Sequence, residues 1–278
     1  MIIVKLMGGM GNQMFQYALG RNLSLKYNLP LKIDLSFLNN RNMGPNFVYR
    51  NYDLDLFNID GDFDLSSVGQ FFTINEPHFQ YSENLLNSIS NLLYNKINIL
   101  FDGYWQTPLY FKDFENKIRE DFKFKDTIEN AEDRIKEMMF KIKSSNSVMV
   151  NVRRTDYLNT NFHGVMGLDY INKAKLIIDS KVENPHYFIF SDDIEWCKEN
   201  IDIENMTLVD HSYKGDRFGY YLQLMSLCKH FIIPNSSFAW WSAWLNTDDN
   251  KIVIAPKQWF TDSSIITNDL IPHNWLRI

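Results

Sequence analysis

Short apolar runs alternate along this chain with longer stretches whose apolar residues recur at helical spacing. Residues 2–6 form an apolar run, broken by Gly8-Gly9-Met10-Gly11. Residues 12–27 follow with Met14, Ala18, Leu19 and Leu25 close to a helical period, and Asn28-Leu29-Pro30 stops them. Residues 31–35 are the next run, so the chain opens as strand, glycine turn, helix, strand. Between 39 and 81 the periodicity weakens and Asn, Asp and aromatic residues dominate. That pattern predicts loops and short irregular pieces. A helix is predicted over 83–93, a strand over 97–104, and helices over 111–122 and 131–143.

At Ser144-Ser145-Asn146 the alternation restarts. Strands are predicted at 147–152, 186–190, 207–209, 231–234 and 251–255, with helices at 169–179, 194–200, 217–228 and 238–245 between them. This order belongs to an α/β chain with parallel sheet covered by helices on both faces. Two Rossmann-type halves are expected, 1–145 and 146–278. Ligands of such sheets bind at the carboxyl ends of the strands. In the second half those ends carry Arg153-Arg154, Ser191-Asp192-Asp193 and Asn235-Ser236-Ser237, three polar clusters on one rim.

Composition narrows the picture. A chain of 278 residues with 45% hydrophobic and 22% charged residues can build the cores of two compact halves. The net charge of -6 and the lack of a basic block argue against a nucleic-acid binder. Aromatic residues reach 15%, for which packing is the commoner reason and sugar contact the alternative. The two cysteines, Cys197 and Cys228, fall in segments with helical pattern and are expected as buried free thiols. The N-terminal run is a strand rather than a signal peptide. The densest apolar stretch, 238–245, is far shorter than the ~20 residues of a membrane span. A soluble cytoplasmic protein is expected, with a peripheral membrane contact left open.

Each rim cluster has a chemical and a structural reading. Arg153 and Arg154 offer planar forks to a diphosphate, or salt bridges for which Asp156 is the nearest carboxylate. Asp192 and Asp193 suit the paired N–H donors of guanine, or the cap and first turn of the next helix. Asn235, Ser236 and Ser237 suit phosphate at a helix N-terminus, or a cap. In the first half, Gly9 and Gly11 can expose backbone N–H groups to an anion. They also make up part of a dinucleotide fingerprint, with Asp34 where a ribose-binding acid would stand, but the third glycine is replaced by Met14. Asp53-Leu54-Asp55 and Asp62-Phe63-Asp64 match a metal-binding Asp-x-Asp only superficially, because no strong strand precedes them. His163 lies in a loop beyond the arginines and is a candidate general base.

Taken together, these motifs resemble one family. Residues 8–18, Gly8-Gly9-Met10-Gly11-Asn12-Gln13-Met14-Phe15-Gln16-Tyr17-Ala18, are similar to the opening of bacterial alpha-1,2-fucosyltransferases, glycosyltransferase family 11. Asn151-Val152-Arg153-Arg154-Thr155-Asp156 resembles that family's His-x-Arg-Arg-x-Asp motif. Gly103-Tyr104-Trp105-Gln106, Glu195-Trp196-Cys197 and the segment Asn235 to Trp241 fit in the same order, so the likeness spans nearly the whole chain.

The resemblance implies a GT-B-like fold, two Rossmann-type halves with the active site in the cleft between them. The N-terminal half would serve the acceptor and the C-terminal half the nucleotide-sugar donor. It implies inverting transfer of fucose from GDP-fucose to the 2-hydroxyl of a terminal beta-galactoside, without a metal or other cofactor. Arg153 would hold the donor diphosphate, a carboxylate at Asp192 or Asp193 the guanine, and Asn12 would lie near fucose and acceptor. Asp156 and His163 are the base candidates. The motif's leading His, on the guanine side, is Asn151 here, whose carboxamide both donates and accepts. Two other classes stay open on the residues alone: an NAD(P)-dependent oxidoreductase using the N-terminal glycine turn, and a non-catalytic glycan-binding protein.

Overall fold

The structure is a computed structural model and describes residues 1–44, 47–66, 68–155 and 164–278. The chain divides into two compact units, Met1–Lys125 with Ile266–Pro272, and Asp126–Ile265 with His273–Ile278. Each contains one parallel sheet.

In the first unit the strands are β1 (Ile2–Lys5), β2 (Leu31–Asp34), β3 (Phe72–Asn75) and β4 (Ile99–Asp102), in the order β2-β1-β4-β3. Helices α1 (Met10–Tyr27), α2 (Ser36–Asn39), α3 (Glu83–Tyr94) and α4 (Glu115–Asp121) accompany them. The strand-turn-helix-strand opening therefore forms as its periodicity predicts. Strand β3 was not legible. It is an edge strand with Phe72, Thr73 and Asn75 exposed, so its sequence lacks the buried alternation that marks a strand. The helix expected over 111–122 is shorter. Two 3-10 turns, Pro108–Tyr110 and Lys112–Phe114, precede α4, which holds only Glu115–Asp121.

Helix α1 lies against β1 so closely that a Cβ built at Gly20 would run into Val4 Cγ1 and come within 2.8 Å of Leu31 Cδ1. The close helix–strand approach that a fingerprint glycine gives at its third position is thus supplied here by Gly20, and Met14 fills core volume instead. A buried polar knot ties α1 to α4. Arg21 Nε and the Tyr17 hydroxyl both donate to Asp121 Oδ2 at 2.8 Å, and Arg21 Nη1 pairs with Asp60 at 2.8 Å.

The second unit carries α5 (Asp133–Lys143), β5 (Asn146–Val152), α6 (Leu168–Asp179), β6 (Pro185–Ser191), α7 (Ile194–Asn200), β7 (Met206–Val209), α8 (Gly219–Ser226), β8 (His230–Ile232), α9 (Ser237–Leu245), β9 (Val253–Ala255) and β10 (Leu276–Arg277). Its sheet order is β10-β9-β8-β5-β6-β7. Val148, Val150 and Val152 of β5 pack with Ile171, Ala174 and Ile178 of α6 and Cys197 of α7. The alternate positions Met149, Phe188 and Phe231 are equally buried, so both faces of the sheet are covered.

The expected halves 1–145 and 146–278 differ from the observed units because residues 266–272 belong with the first unit and 126–145 with the second. Gln223 of α8 holds them there, accepting from the Ile128 N–H at 3.1 Å and donating to the Asp126 carbonyl at 3.0 Å. The helix expected from 217 starts at Gly219, because Arg217 and Phe218 take left-handed conformations with φ 43° and 67°. Both cysteines are free and buried, and burial raises each thiol above its ordinary pKa. Among the described residues, no helix is long and apolar enough to cross a membrane.

Candidate active site

Strand β5 is central in its sheet, pairing with β6 in the register Val152↔Ser191 and with β8 in the register Val150↔Ile232. Parallel pairing brings the segments after β5, β6 and β8 to one rim. The three polar clusters expected at strand ends therefore stand on neighbouring strands.

Two arginine–aspartate pairs form there. Arg153 Nη1 lies 2.9 Å from Asp192 Oδ2, and Arg154 Nε lies 3.1 Å from Asp193 Oδ2. The Asp192 carboxylate also accepts the Arg154 backbone N–H at 2.9 Å and the Thr155 hydroxyl at 2.7 Å. Only 5% of the Asp192 side chain is exposed, against 29% for Arg153. Asp193 has a second function, capping α7 by accepting the Trp196 N–H at 3.3 Å. Trp196 in turn lies beneath the Arg154 guanidinium, 3.9 Å from ring centre to Cζ. The local sequence makes this arrangement. Ser191 ends β6 by accepting the Asp193 N–H at 2.9 Å and donating to the Val152 carbonyl at 3.0 Å, which locks the two strand ends together.

Asn151 donates Nδ2 to the Phe190 carbonyl at 3.0 Å, so its carboxamide is fixed across β5 and β6. Asn235 donates to the carbonyls of Trp259 at 2.9 Å and Gly164 at 3.2 Å. Ser236 occupies the N-cap of α9, with Ser237 as its first residue, but the Ser236 side chain makes no capping bond. Asp156 and His163, the base candidates, lie outside the described residues. His211, after β7, was not singled out by the sequence. Burial lowers its pKa, and of the charges acting on it Asp192 and Asp210 oppose that shift while Lys214 and Arg153 add to it. A lone His opening a short 3-10 turn carries no pattern that would have marked it.

Gly9, Gly11 and Asn12 belong to the first unit, at the carboxyl rim of its own sheet. Gly8 adopts φ 72° and Gly9 is the extended N-cap of α1. Gln13 holds the turn by donating to the Gly8 carbonyl at 2.9 Å and the Asn51 carbonyl at 2.8 Å. Asn12 accepts from Gln106 Nε2 at 2.8 Å. Asp34, the ribose-acid candidate, instead accepts the Ser36 N–H at 2.8 Å and the Ser36 hydroxyl at 3.0 Å. Asp62 pairs with Lys32, and Asp64 accepts the Ser66 N–H at 2.9 Å. Among the described residues, no group of three or more His, Cys, Asp or Glu gathers as a metal site.

Residues 80–278 match the profile of Glycosyl transferase family 11. An alpha-1,2-colitosyltransferase of Escherichia coli is 33% identical over 300 aligned positions, covering 100% of this chain and 98% of that protein. The chain belongs to glycosyltransferase family 11. A human galactoside alpha-(1,2)-fucosyltransferase 1 is 32% identical over 108 residues, covering 37% of this chain and 29% of that protein. Among solved structures, the fucosyltransferase NodZ from Bradyrhizobium matches with a TM-score of 0.50 at 14% identity, over 88% of this chain and 92% of that one. This family 11 glycosyltransferase thus shares the GT-B fold of a solved fucosyltransferase, with one Rossmann-like parallel sheet in each unit.

Proposed function

We propose that this glycosyltransferase moves fucose from GDP-fucose to the 2-hydroxyl of a terminal β-galactoside, with inversion and without a metal, in cytoplasmic synthesis of a glycan or surface polysaccharide. The observation that carries this reading is the full-length likeness to a transferase that makes an alpha-1,2 linkage. The first unit serves the acceptor, through Asn12 and the turn of Gly9 and Gly11, and the second serves the donor.

The acceptor 2-oxygen attacks the anomeric carbon. The bond from that carbon to the β-phosphate oxygen breaks, and GDP leaves with the electron pair. Negative charge develops on the diphosphate, where a fixed Arg is worth most. Arg153 takes that role: Asp192 anchors one edge of its guanidinium while part of the side chain stays open to solvent. Ser236, Ser237 and the N-terminus of α9 add donors on the neighbouring strand end. With Asp192 and Asp193 both engaged by arginines, guanine falls to Asn151, whose Oδ1 is an acceptor for N–H groups once Nδ2 is given to Phe190. Asp156 or His163 takes the acceptor proton, or the departing phosphate does.

A second donor sugar is favoured by the same relative. Colitose is fucose without its 3-hydroxyl, and a site built to hydrogen-bond that hydroxyl discriminates strongly between the two. The test is purified protein with GDP-fucose or GDP-colitose and a panel of galactosides in excess EDTA, with product linkage assigned by NMR. An alpha-1,2-linked product is expected. Failure to transfer or hydrolyse either donor sinks the reading, and activity lost in EDTA and restored by manganese sinks its metal-independent mechanism.

A further inference from the structure

On the carboxyl rim of the first sheet, Glu76 directly follows β3, and its backbone N–H donates to the Asp102 carbonyl at the end of β4 at 2.9 Å. Its carboxylate accepts two consecutive backbone donors, Tyr104 N–H at 2.7 Å on Oε2 and Trp105 N–H at 3.1 Å on Oε1. The turn it grips has little room to change. Trp105 is buried and left-handed, with φ 55°, a costly conformation for so large a residue. A Cβ at Gly103 would collide with Glu76 Cβ and come within 2.9 Å of its Oε2. Gln16 holds the far side by donating to the Gly103 carbonyl at 3.0 Å. The next residue along, Gln106, donates to Asn12 Oδ1 at 2.8 Å. One carboxylate therefore fixes a strained turn whose end sets the orientation of Asn12.

We propose that Glu76 is a positioning residue for glycosyl transfer: as a carboxylate it holds the Gly103–Gln106 turn, and through Gln106 it orients Asn12 toward the acceptor. This rests on the reading that Asn12 works beside the acceptor. A carboxylate accepts at both oxygens, whereas the protonated acid or an amide offers one acceptor and turns a donor toward a backbone N–H. Burial pushes the Glu76 pKa up to about 7, the two N–H groups oppose that shift, and negative Asp269 adds to it. Tyr104 and Tyr110 also face it, each with its phenol raised by burial first and then by the Glu76 charge. On the neighbouring strands, Asp102 is paired with Lys5 at 2.7 Å. The gripping form thus appears as pH rises through neutrality, and transfer rises with it.

Glu76→Gln, Gln106→Ala and the double variant test this. Each single variant is expected to lower kcat/KM for the acceptor about 10- to 100-fold, as small displacements of reacting groups do. The double variant is expected to be no worse than the more impaired single, since both act along one chain of contacts. The acid limb near pH 7 is expected to vanish in Glu76→Gln, while acceptor-free GDP release from GDP-fucose stays within about twofold. In the wild-type protein, the ¹⁵N shifts of the Tyr104 and Trp105 amides are expected to titrate together near pH 7. Additive losses in the double variant, a surviving acid limb, or flat amide shifts each overturn the proposal. The amide titration needs neither a variant nor activity. A wild type inert toward GDP-fucose but with titrating amides therefore marks failure of the functional reading, not of the Glu76 grip.

Discussion

The Arg154 guanidinium carbon lies 3.9 Å from the centre of the Trp196 ring. Its Nε is held by Asp193 at 3.1 Å, and Asp193 also caps the helix that carries Trp196. Arg154 is therefore built into the joint between β6 and α7, by stacking and by charge. Arg153 has its carboxylate partner on one side and keeps 29% of its side chain exposed. Two adjacent arginines thus have different surroundings, which separates their functions.

Arg153→Lys keeps the charge and loses the fork. A loss in turnover of about 100-fold or more is expected, matching removal of one strong transition-state donor. Arg154→Lys loses stacking on Trp196, so it should lower the melting temperature more than Arg153→Lys does, with a turnover loss of about 10-fold or less. Steady-state kinetics and thermal melts on both variants check this. Equal kinetic effects at the two positions would show that the division of labour is wrong.

The knot between α1 and α4 makes a prediction about stability alone. Asp121 is buried and takes both the Arg21 guanidinium and the Tyr17 hydroxyl. Asp121→Ala removes the carboxylate and leaves the Arg21 charge in a largely buried site, facing an exposed Asp60. Breaking a buried pair in this way costs about 3–5 kcal/mol. Denaturant unfolding should show that loss, and a change under about 1 kcal/mol would mean the pair is well hydrated.

Glu76 gives a stability signature opposite to the usual carboxylate. Its pKa is raised from the ordinary 4.5 to about 7. Between these values the folded protein binds more protons at this group than the unfolded chain does, so stability falls as pH rises across the window. The contribution is most favourable below about 4.5 and is fully lost above about 7. Other groups titrate too, so the measurement is a difference. Melting temperatures of wild type and Glu76→Gln are compared at intervals from pH 5 to 8, and the wild type should fall relative to the variant as pH rises. A difference that stays constant with pH would contradict the raised pKa.

How much of this was legible depends on what each residue faces. Strands β5 and β6 are buried on both sides and announce themselves as apolar runs, so the rim clusters after them were placed correctly. The aspartate partners that the arginines find after β6 had no such signal. Asp156, the nearest carboxylate in sequence, lies outside the described residues, and the pairs described are with Asp192 and Asp193, each 39 residues on, because parallel neighbours bring distant strand ends together. Glu76 was invisible for a different reason. It follows an exposed edge strand in a segment without periodicity, and its significance arises only from the turn at Trp105, 29 residues along the chain, whose backbone N–H groups its carboxylate accepts.

The glycines of α1 show the same limit and yield the last prediction. The motif Gly8-Gly9-Met10-Gly11 draws attention to the turn, and there only Gly8 requires a left-handed backbone, with φ 72° and Asn12 against the position of its missing Cβ. Gly20 lies mid-helix, where glycine ordinarily costs about 1 kcal/mol relative to alanine. Propensity therefore predicts that Gly20→Ala stabilises. The contact with Val4 and Leu31 predicts the reverse, because a methyl there forces helix and sheet apart. Overpacking of this kind costs about 1–3 kcal/mol, enough to outweigh the propensity gain. Gly20→Ala should therefore be neutral to destabilising in chemical denaturation, and Gly20→Ala combined with Val4→Ala should recover part of the loss through the space the smaller strand residue opens. A Gly20→Ala protein more stable than wild type by about 1 kcal/mol would show that α1 lies farther from β1 than the structure has it.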